Sequence, residues 1–413
     1  MRPETLATAA VDARGWWRRP DLDFSEGVLH LAGHNLERVG HEFGTPSYAY
    51  SVARVRANVE RLRGALEATG VTHRVLYAMK ANRSVPLLTY LRSTGLVGID
   101  VCSPNELLLA RRVGFAAKDI SYTATSVSEA DLDIVARHPD VRVNADSLST
   151  IRRLALRCPG RRIGLRINPA LGVGYGENGL LRYSGERVTK FGIYRDHLDE
   201  ALELARSAGL VVDGIHFHTG CGYLGPQLEA WEAIVRECLG FLSHIDGPVE
   251  VNLGGGLGVP HAPTDRPLDL DAWAAIVQRN FGDRNVRVSV EPGDFIAKDA
   301  GLILTRVNTV ETKRGVRFIG VDSGFNLAPE PVFYQLPIVP VAVSPRGGPD
   351  ATFAPATLAG NINEALDVWA EGVQLPADLR EGDLLALLNA GGYAQAMASD
   401  HCMRGGAPET LLW

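Results

Sequence analysis

Residues 212–258 read VDGIHFHTGCGYLGPQLEAWEAIVRECLGFLSHIDGPVEVNLGGGLG. A β-branched run at 212–218, a longer amphipathic stretch and a second short run at 249–253 form the pattern of two parallel strands joined by a crossover helix. The same unit recurs in both directions. Short apolar runs at 75–78, 97–101, 120–123, 141–144 and 162–168 precede it and one at 288–291 follows, so eight such runs lie between about residues 47 and 293. Eight strand and helix units over roughly 250 residues is what a TIM barrel needs, whereas a doubly wound sheet turns back at five to seven strands. The intervening segments carry helix signatures of their own. Val55, Val59 and Leu62 recur at helical spacing within 52–69, and Ser103 is a candidate cap for 105–113.

After Gly301 the texture changes to short β-rich segments with proline and glycine turns, at 302–312, 316–321, 337–343 and 382–388. This predicts a separate all-β domain. Strand-like pieces at 27–32 and 47–50 could complete it from the other end of the chain. The expected division is a barrel over 44–300 and a β-rich domain built from 1–43 and 301–413.

The 413 residues are 46% apolar and 22% charged, ordinary for a folded chain. Lys and Arg number 42 against 48 Asp and Glu, a net charge of −6, with no basic stripe to hold a phosphate backbone. Nucleic acid is therefore not an expected partner. No run of 18 apolar residues exists, and residues 1–19 carry Glu4 and Asp12 without an apolar core of signal-peptide length, so the expectation is a cytoplasmic protein without a membrane span. The five cysteines, Cys102, Cys158, Cys221, Cys238 and Cys402, are odd in number, scattered and free of any CxxC pair. They suggest neither a disulfide framework nor a zinc knuckle.

A barrel presents functional groups at the C-terminal ends of its strands, and those positions are informative here. Lys80 closes the first strand in Tyr77-Ala78-Met79-Lys80, where burial would lower its pKa and free the amine for Schiff-base chemistry; a surface lysine reads the same. His216 and His218 share one face of the sixth strand. A metal pair would need a further ligand nearby, so a core or stacking role is favoured, with His218 nearer the mouth, and no metal is expected. Gly254, Gly255 and Gly256 after the seventh strand let backbone N–H groups approach an anion, or make a tight turn. They lack the ordered spacing of a Walker or dinucleotide loop, which leaves ATP and NAD poorly supported. Glu291 ends the eighth strand, as a structural cap or as the partner that keeps a pyridine nitrogen protonated. Jointly, a lysine, a histidine, glycines and a glutamate at these four mouths are the parts list for pyridoxal phosphate.

Together with Ser103 and Glu106, Arg166-Ile167-Asn168-Pro169, Lys190-Phe191-Gly192, Asp322-Ser323-Gly324 and Gly391-Gly392-Tyr393, this set resembles the alanine-racemase-like barrel family of pyridoxal-phosphate enzymes. Within it, the chain resembles the decarboxylase branch that includes ornithine and diaminopimelate decarboxylases. The resemblance runs from Gly44-Thr45-Pro46 to Met403-Arg404. It implies a homodimer acting on an amino acid, with pyridoxal 5'-phosphate joined to Lys80 as a Schiff base, His218 stacked on its ring and Glu291 at the pyridine nitrogen. By the same likeness Gly255, Gly256 and Tyr393 would bind the phosphate, Cys221 would stand where the family often has serine, and Arg166 would belong to the cofactor pocket. The segment 363–367 would enter the partner subunit's site. A racemase in this fold typically has arginine in place of Glu291, so the glutamate favours decarboxylation.

Three departures bear on the substrate. Diaminopimelate decarboxylases resembling this chain have arginine where Asp294 follows Glu291-Pro292-Gly293, and again where Glu330 precedes Pro331 and Tyr334. Two acids in place of two cations would reverse the sign of the pocket and favour a distal ammonium or guanidinium over a distal carboxylate. The family's Cys-Glu-Ser-x-Asp segment is here Asn363-Glu364-Ala365-Leu366-Asp367, so the cysteine thought to protonate the α-carbon is an amide, a very poor general acid. Glu364 and Asp367 could also meet a cationic tail. The expectation is a decarboxylase of a basic amino acid such as ornithine, lysine or arginine, in the L or D form, with Asp294, Glu330, Tyr334, Glu364 and Asp367 contacting the substrate and Asn363 beside the reacting carbon. A racemase, an oxidative decarboxylase or a catalytically silent binding protein are the rivals that Asn363 leaves open.

Overall fold

Eight short strands close into a barrel in the computed structural model, which describes residues 15–185, 187–346, 348 and 351–413. The first fourteen residues of the expected N-terminal β-rich segment lie outside that range. In chain order the barrel strands are His73–Ala78, Gly98–Val101, Ile120–Tyr122, Arg142–Ala145, Arg162–Arg166, Val211–His216, Glu250–Asn252 and Arg287–Val290. They coincide with the eight runs read from the sequence. All neighbours are parallel, and the eighth strand closes on the first through Val288 opposite His73 and Val290 opposite Val75. Covered on both faces, they are apolar almost throughout, with Val75, Tyr77, Ile99, Val143, Leu165 and Val288 fully buried.

The helices start where side chains can satisfy free N–H groups. Ser51 accepts from the N–H of Arg54 to open Val52–Ala68, which then buries Val55, Val59, Leu62 and Leu66. Ser103 accepts from the N–H of Glu106 at the start of Pro104–Val113, and the Glu106 carboxylate accepts in return from the N–H of Cys102 at 2.7 Å. Each such cap contributes about 1 kcal/mol.

The β domain is organised by the long strand Gly301–Lys313, which pairs with Val316–Val321 and Leu384–Leu388. Val339–Ala342 adds to Leu384–Leu388, while Phe353–Ala359 and Val368–Pro376 extend the far edge. The last two are not legible as strands, because Pro355 and three alanines dilute one and Gly372 interrupts the other. Ser47–Ser51 completes this sheet between Gly301–Lys313 and the C-terminal strand Glu409–Leu412, so it belongs to the sheet although its position falls in the range expected for the barrel. The other N-terminal piece, Val28–Leu31, lies in a separate three-stranded sheet with Leu22–Ser25 and His34–Asn35 and packs on Leu302, Leu304, Val341 and Val343. Among the described residues no helix is long and apolar enough to cross a membrane. The short turn from the eighth barrel strand into Gly301–Lys313 runs through the helix Asp294–Ala297 and the turn Lys298–Ala300, which sets the β domain against the barrel mouth.

Candidate active site

The C-terminal ends of the barrel strands converge on a narrow slot lined by Lys80, Arg166, His218, Cys221, Gly255, Gly256, Glu291, Asp294 and Tyr393. Lys80 lies in the tight turn Met79–Ala81 that follows the first strand. That turn is tied to the distant Gly391 to Tyr393 segment: Asn82 Nδ2 donates to the Gly391 carbonyl at 2.9 Å, and the Tyr393 N–H donates to the Ala81 carbonyl at 2.7 Å. Tyr393 adopts φ 56°, a left-handed conformation that a non-glycine residue holds only at a cost of order 1 kcal/mol or more. The glycines after the seventh strand are dictated by close backbone approach. A Cβ on Gly255 would stand 2.3 Å from the Glu291 carbonyl oxygen, and one on Gly256, at φ +101°, 2.3 Å from that of Gly220.

Glu291 is the best-held charge in the slot. His216 Nε2 lies 2.9 Å from one carboxylate oxygen and Asn252 Nδ2 donates to the other at 2.6 Å, while the Asn252 side-chain oxygen accepts from the N–H of Gly254. Burial is the largest influence and works against the charge, but His216, Lys80 and Asn252 together outweigh it and hold the carboxyl below its ordinary range. Asp100, at the end of the second strand, is pushed well above its ordinary value by burial and by the Glu291 charge, with Lys80 opposing, so Glu291 is the better-held charge of the two. Asp100 and Asn252 are absent from the sequence reading; a lone carboxylate near a strand's C-terminal end was the available signal. His216, read as a core or stacking residue, is the orienting partner of Glu291.

Lys80 departs from expectation in its protonation. Burial pushes it down as anticipated, but Asp100 first, then Cys221, Cys102 and Glu291, outweigh burial and raise it, so the amine is held charged. His218 is the opposite case: burial and the positive charges of Lys80 and Arg166 hold it well below its ordinary value, leaving the ring neutral. Its Nδ1 accepts from the N–H of Gly255 at 3.3 Å, which puts the proton on Nε2, 3.7 Å from Cys221 Sγ. Arg166 is buried with its guanidinium over the Phe191 ring at 4.5 Å.

The slot opens into a cavity of about 290 Å³ that shares Lys80, Cys221, Asp294 and Tyr393 with it and adds Glu330 and Tyr334. Here the expected pair of free acids is corrected. Lys298, fully buried, lies 3.1 Å from Asp294 Oδ1 and 2.6 Å from Glu330 Oε2. It stands four residues after Asp294, on the same helical face. Burial opposes its charge, but Asp294 and Glu330 together raise its pKa. Glu330 is pushed up to about 7, by burial first and by Asp294, with Lys298 opposing. The cluster is therefore acid, base, acid, and above pH about 7 it carries one net negative charge rather than two.

The segment 363–367 stands apart from both cavities of its own chain. Asn363 and Glu364 are exposed, with Glu364 Oε1 3.5 Å from His401 Nε2. Asp367 is corrected outright as a substrate contact: it is buried, and its two oxygens accept the backbone N–H groups of Phe325 and Ile362 at 2.8 and 2.6 Å, so it shapes the loop. Among the described residues no group of three or more His, Cys, Asp or Glu side chains could hold a metal ion.

Comparison with known proteins matches residues 52–298 to the family described as pyridoxal-dependent decarboxylase, pyridoxal binding domain. The chain is 34% identical over 408 residues to the diaminopimelate decarboxylase of Methanothermobacter thermautotrophicus, covering 95% of this chain and 92% of that one. It is 30% identical over 402 residues to that of Escherichia coli K12, covering 92% of each. In structure it overlays the diaminopimelate decarboxylase of M. jannaschii in co-complex with L-lysine with a TM-score of 0.85 at 22% identity, over 95% and 92% of the two chains. The arginine decarboxylase of Paramecium bursaria Chlorella virus bound to agmatine gives 0.79 at 21%, over 91% and 99%, and both overlays concern the fold alone.

Proposed function

The chain belongs to the pyridoxal-dependent decarboxylases, and from that premise we propose that its substrate is an amino acid whose side chain ends in a cation: ornithine, lysine or arginine, in the L or D form. Its cofactor is pyridoxal 5'-phosphate and its reaction is amino-acid decarboxylation, a carbon–carbon lyase reaction. The donor set suits that cofactor, because one buried carboxylate is kept charged while an aromatic neighbour is kept neutral. Lys80 would hold the cofactor covalently, Glu291 would meet its ring nitrogen, and His218 would stack on its ring. Gly256, Tyr393 and Cys221 would take the phosphate, with Arg166 at the edge of the pocket; Gly255 contributes through His218, to which its N–H is committed. When bound, the cofactor supplies a sink for the electron pair left by departing carbon dioxide.

The observation that carries the substrate reading is that Lys298 balances only one of the two carboxylates facing the cavity beside Lys80. Of the other charged side chains lining the cavity, Arg83 and Glu106 offset one another and Lys80 would be taken up by the cofactor, so a cationic tail completes the balance. Lys80, which lines the slot itself, would deliver the proton to the α-carbon in place of the amide of Asn363. The reading includes a homodimer in which the exposed Asn363 and Glu364 reach the partner's cavity, and a reducing cytoplasmic setting that suits five free cysteines.

A second reading, diaminopimelate, is favoured by the relatives' activity and by Arg83, which lines the same cavity and could meet a distal carboxylate. The two separate on one panel. Carbon dioxide release is measured from both enantiomers of ornithine, lysine and arginine, from diaminopimelate and from glutamate. The highest kcat/KM is expected for a substrate with a purely cationic tail, and a preference for diaminopimelate or glutamate overturns the proposal.

A further inference from the structure

The end of the barrel opposite Lys80 carries a basin of about 810 Å³ whose charges do not balance. Arg74, Arg142, Arg162 and Arg287 stand at or next to the N-terminal ends of four strands, and only two carboxylates are placed among them. Glu250 accepts from Arg74 at 2.8 Å and from Arg287 at 2.7 Å, and Asp213 accepts from Arg142 and, at 2.7 Å, from Arg162. Two positive charges are left over. Arg161 adds a third: it is buried and donates only to the carbonyls of Val135, His138 and Val141 and to the sulfur of Cys158. Lys118 and Asp140 on the rim offset one another.

We propose that this basin binds a multiply charged oxyanion, a polyphosphate or polycarboxylate bearing about three negative charges. A purely structural floor would close by giving each arginine an acid of its own, whereas here two carboxylates are shared among four. Here the basin stays open, and the half-exposed Arg162 and Arg287 turn unspent guanidinium N–H groups toward it. The planar guanidinium fork matches phosphate and carboxylate oxygens two at a time. The positive surplus shows in its neighbours. Glu250 is drawn down to about 2 against burial, by Arg74 and Arg142, and Arg74 itself is lowered by burial with Arg287 and Arg142 adding to the effect. In a chain of net charge −6 such a concentration of cations attracts anions that the rest of the surface repels.

The test uses full-length enzyme saturated with its cofactor, so that the catalytic phosphate pocket is filled. Pyrophosphate and citrate are titrated calorimetrically at constant ionic strength, against wild type and the R162Q/R287Q double variant. Glu250 and Asp213 each keep one arginine in that variant, so folding and basal decarboxylation should be unchanged. Saturable binding of at least one anion is expected, weakened by about tenfold or more in the double variant. Pyrophosphate alone would identify a phosphate ligand and citrate alone a carboxylate ligand. Should the double variant fold poorly, K118E on the exposed rim must weaken binding in the same direction. Absence of saturable binding by either anion, or binding equal to wild type in the variants, overturns the site.

Discussion

Replacing Glu330 by glutamine removes one charge from the cluster that faces the substrate cavity and changes little else in shape. Above pH about 7 Asp294 and Glu330 carry two negative charges against the one positive charge of Lys298, and in E330Q that becomes a neutral Asp294–Lys298 pair. Opposite charges about 4 Å apart interact by about 4 kcal/mol at an effective dielectric of about 20. Desolvating the substrate's ammonium takes back much of that, leaving about 1.5–3 kcal/mol, typical of a hydrogen bond to a charged group. The expected loss is about 10- to 150-fold in kcat/KM for a cationic-tailed substrate, with little change for norleucine, whose tail is neutral. The sign of the pH dependence follows from the raised pKa. Glu330 takes up its proton as pH falls through about 7, so wild type at pH 6 approaches the variant and the gap between them widens toward pH 8. Steady-state kinetics on both substrates at both pH values decides the matter. A loss equal for the two tails, or a gap that does not change between pH 6 and 8, would refute the electrostatic reasoning.

Borohydride treatment of the cofactor-loaded enzyme should fix the cofactor mass on the peptide containing Lys80, and a K80A protein that traps the same mass elsewhere with full activity would sink that assignment. Lys298→Met leaves Asp294 and Glu330 without their cation and should destabilise the fold by about 3–5 kcal/mol. Glu330, already raised to about 7 against the pull of Lys298, would rise further without it, so chemical denaturation should show a larger loss at pH 8 than at pH 5.5, and an equal loss at both would contradict the pairing. Mixing inactive K80A chains with inactive E364A chains should restore part of the activity through hybrid dimers holding one intact site, whereas failure to complement despite demonstrated subunit exchange counts against a shared site.

The barrel was legible because its strands are covered on both faces, and such strands keep β-branched and apolar residues in unbroken runs whatever stands next to them. Among the strands that were not legible, Val368–Pro376 is the edge of the β domain and Phe353–Ala359 pairs with Val316–Val321 only from Thr357 onward, so Gly372 and Pro355 stand where fewer neighbours constrain them. Site residues followed the same division. Lys80, His218 and Glu291 could be found because a barrel makes the C-terminal end of each strand a marked position. Asp100 and Asn252 sit at similar positions but matter through Glu291 and Lys80, which meet them from other strands.

Lys298 shows why the sign of a pocket is harder to read than its location. In the segment Asp294-Phe295-Ile296-Ala297-Lys298 it looks like an ordinary lysine at a helix end, and its burial arises only because the β domain folds over that turn and brings Glu330 to it. Charge is a property of the closed cluster, not of the two positions where arginines were replaced. By the family resemblance those positions would carry two positive charges; counting only the substitutions moves the pocket from +2 to −2, a change of four. With Lys298 included it moves to −1, and a cluster of net charge −1 is neutralised by one monovalent cation. On the proposed reading that stoichiometry suits a tail ending in a single ammonium or guanidinium, and Lys298 sets the charge of the cluster as much as the two acids it joins.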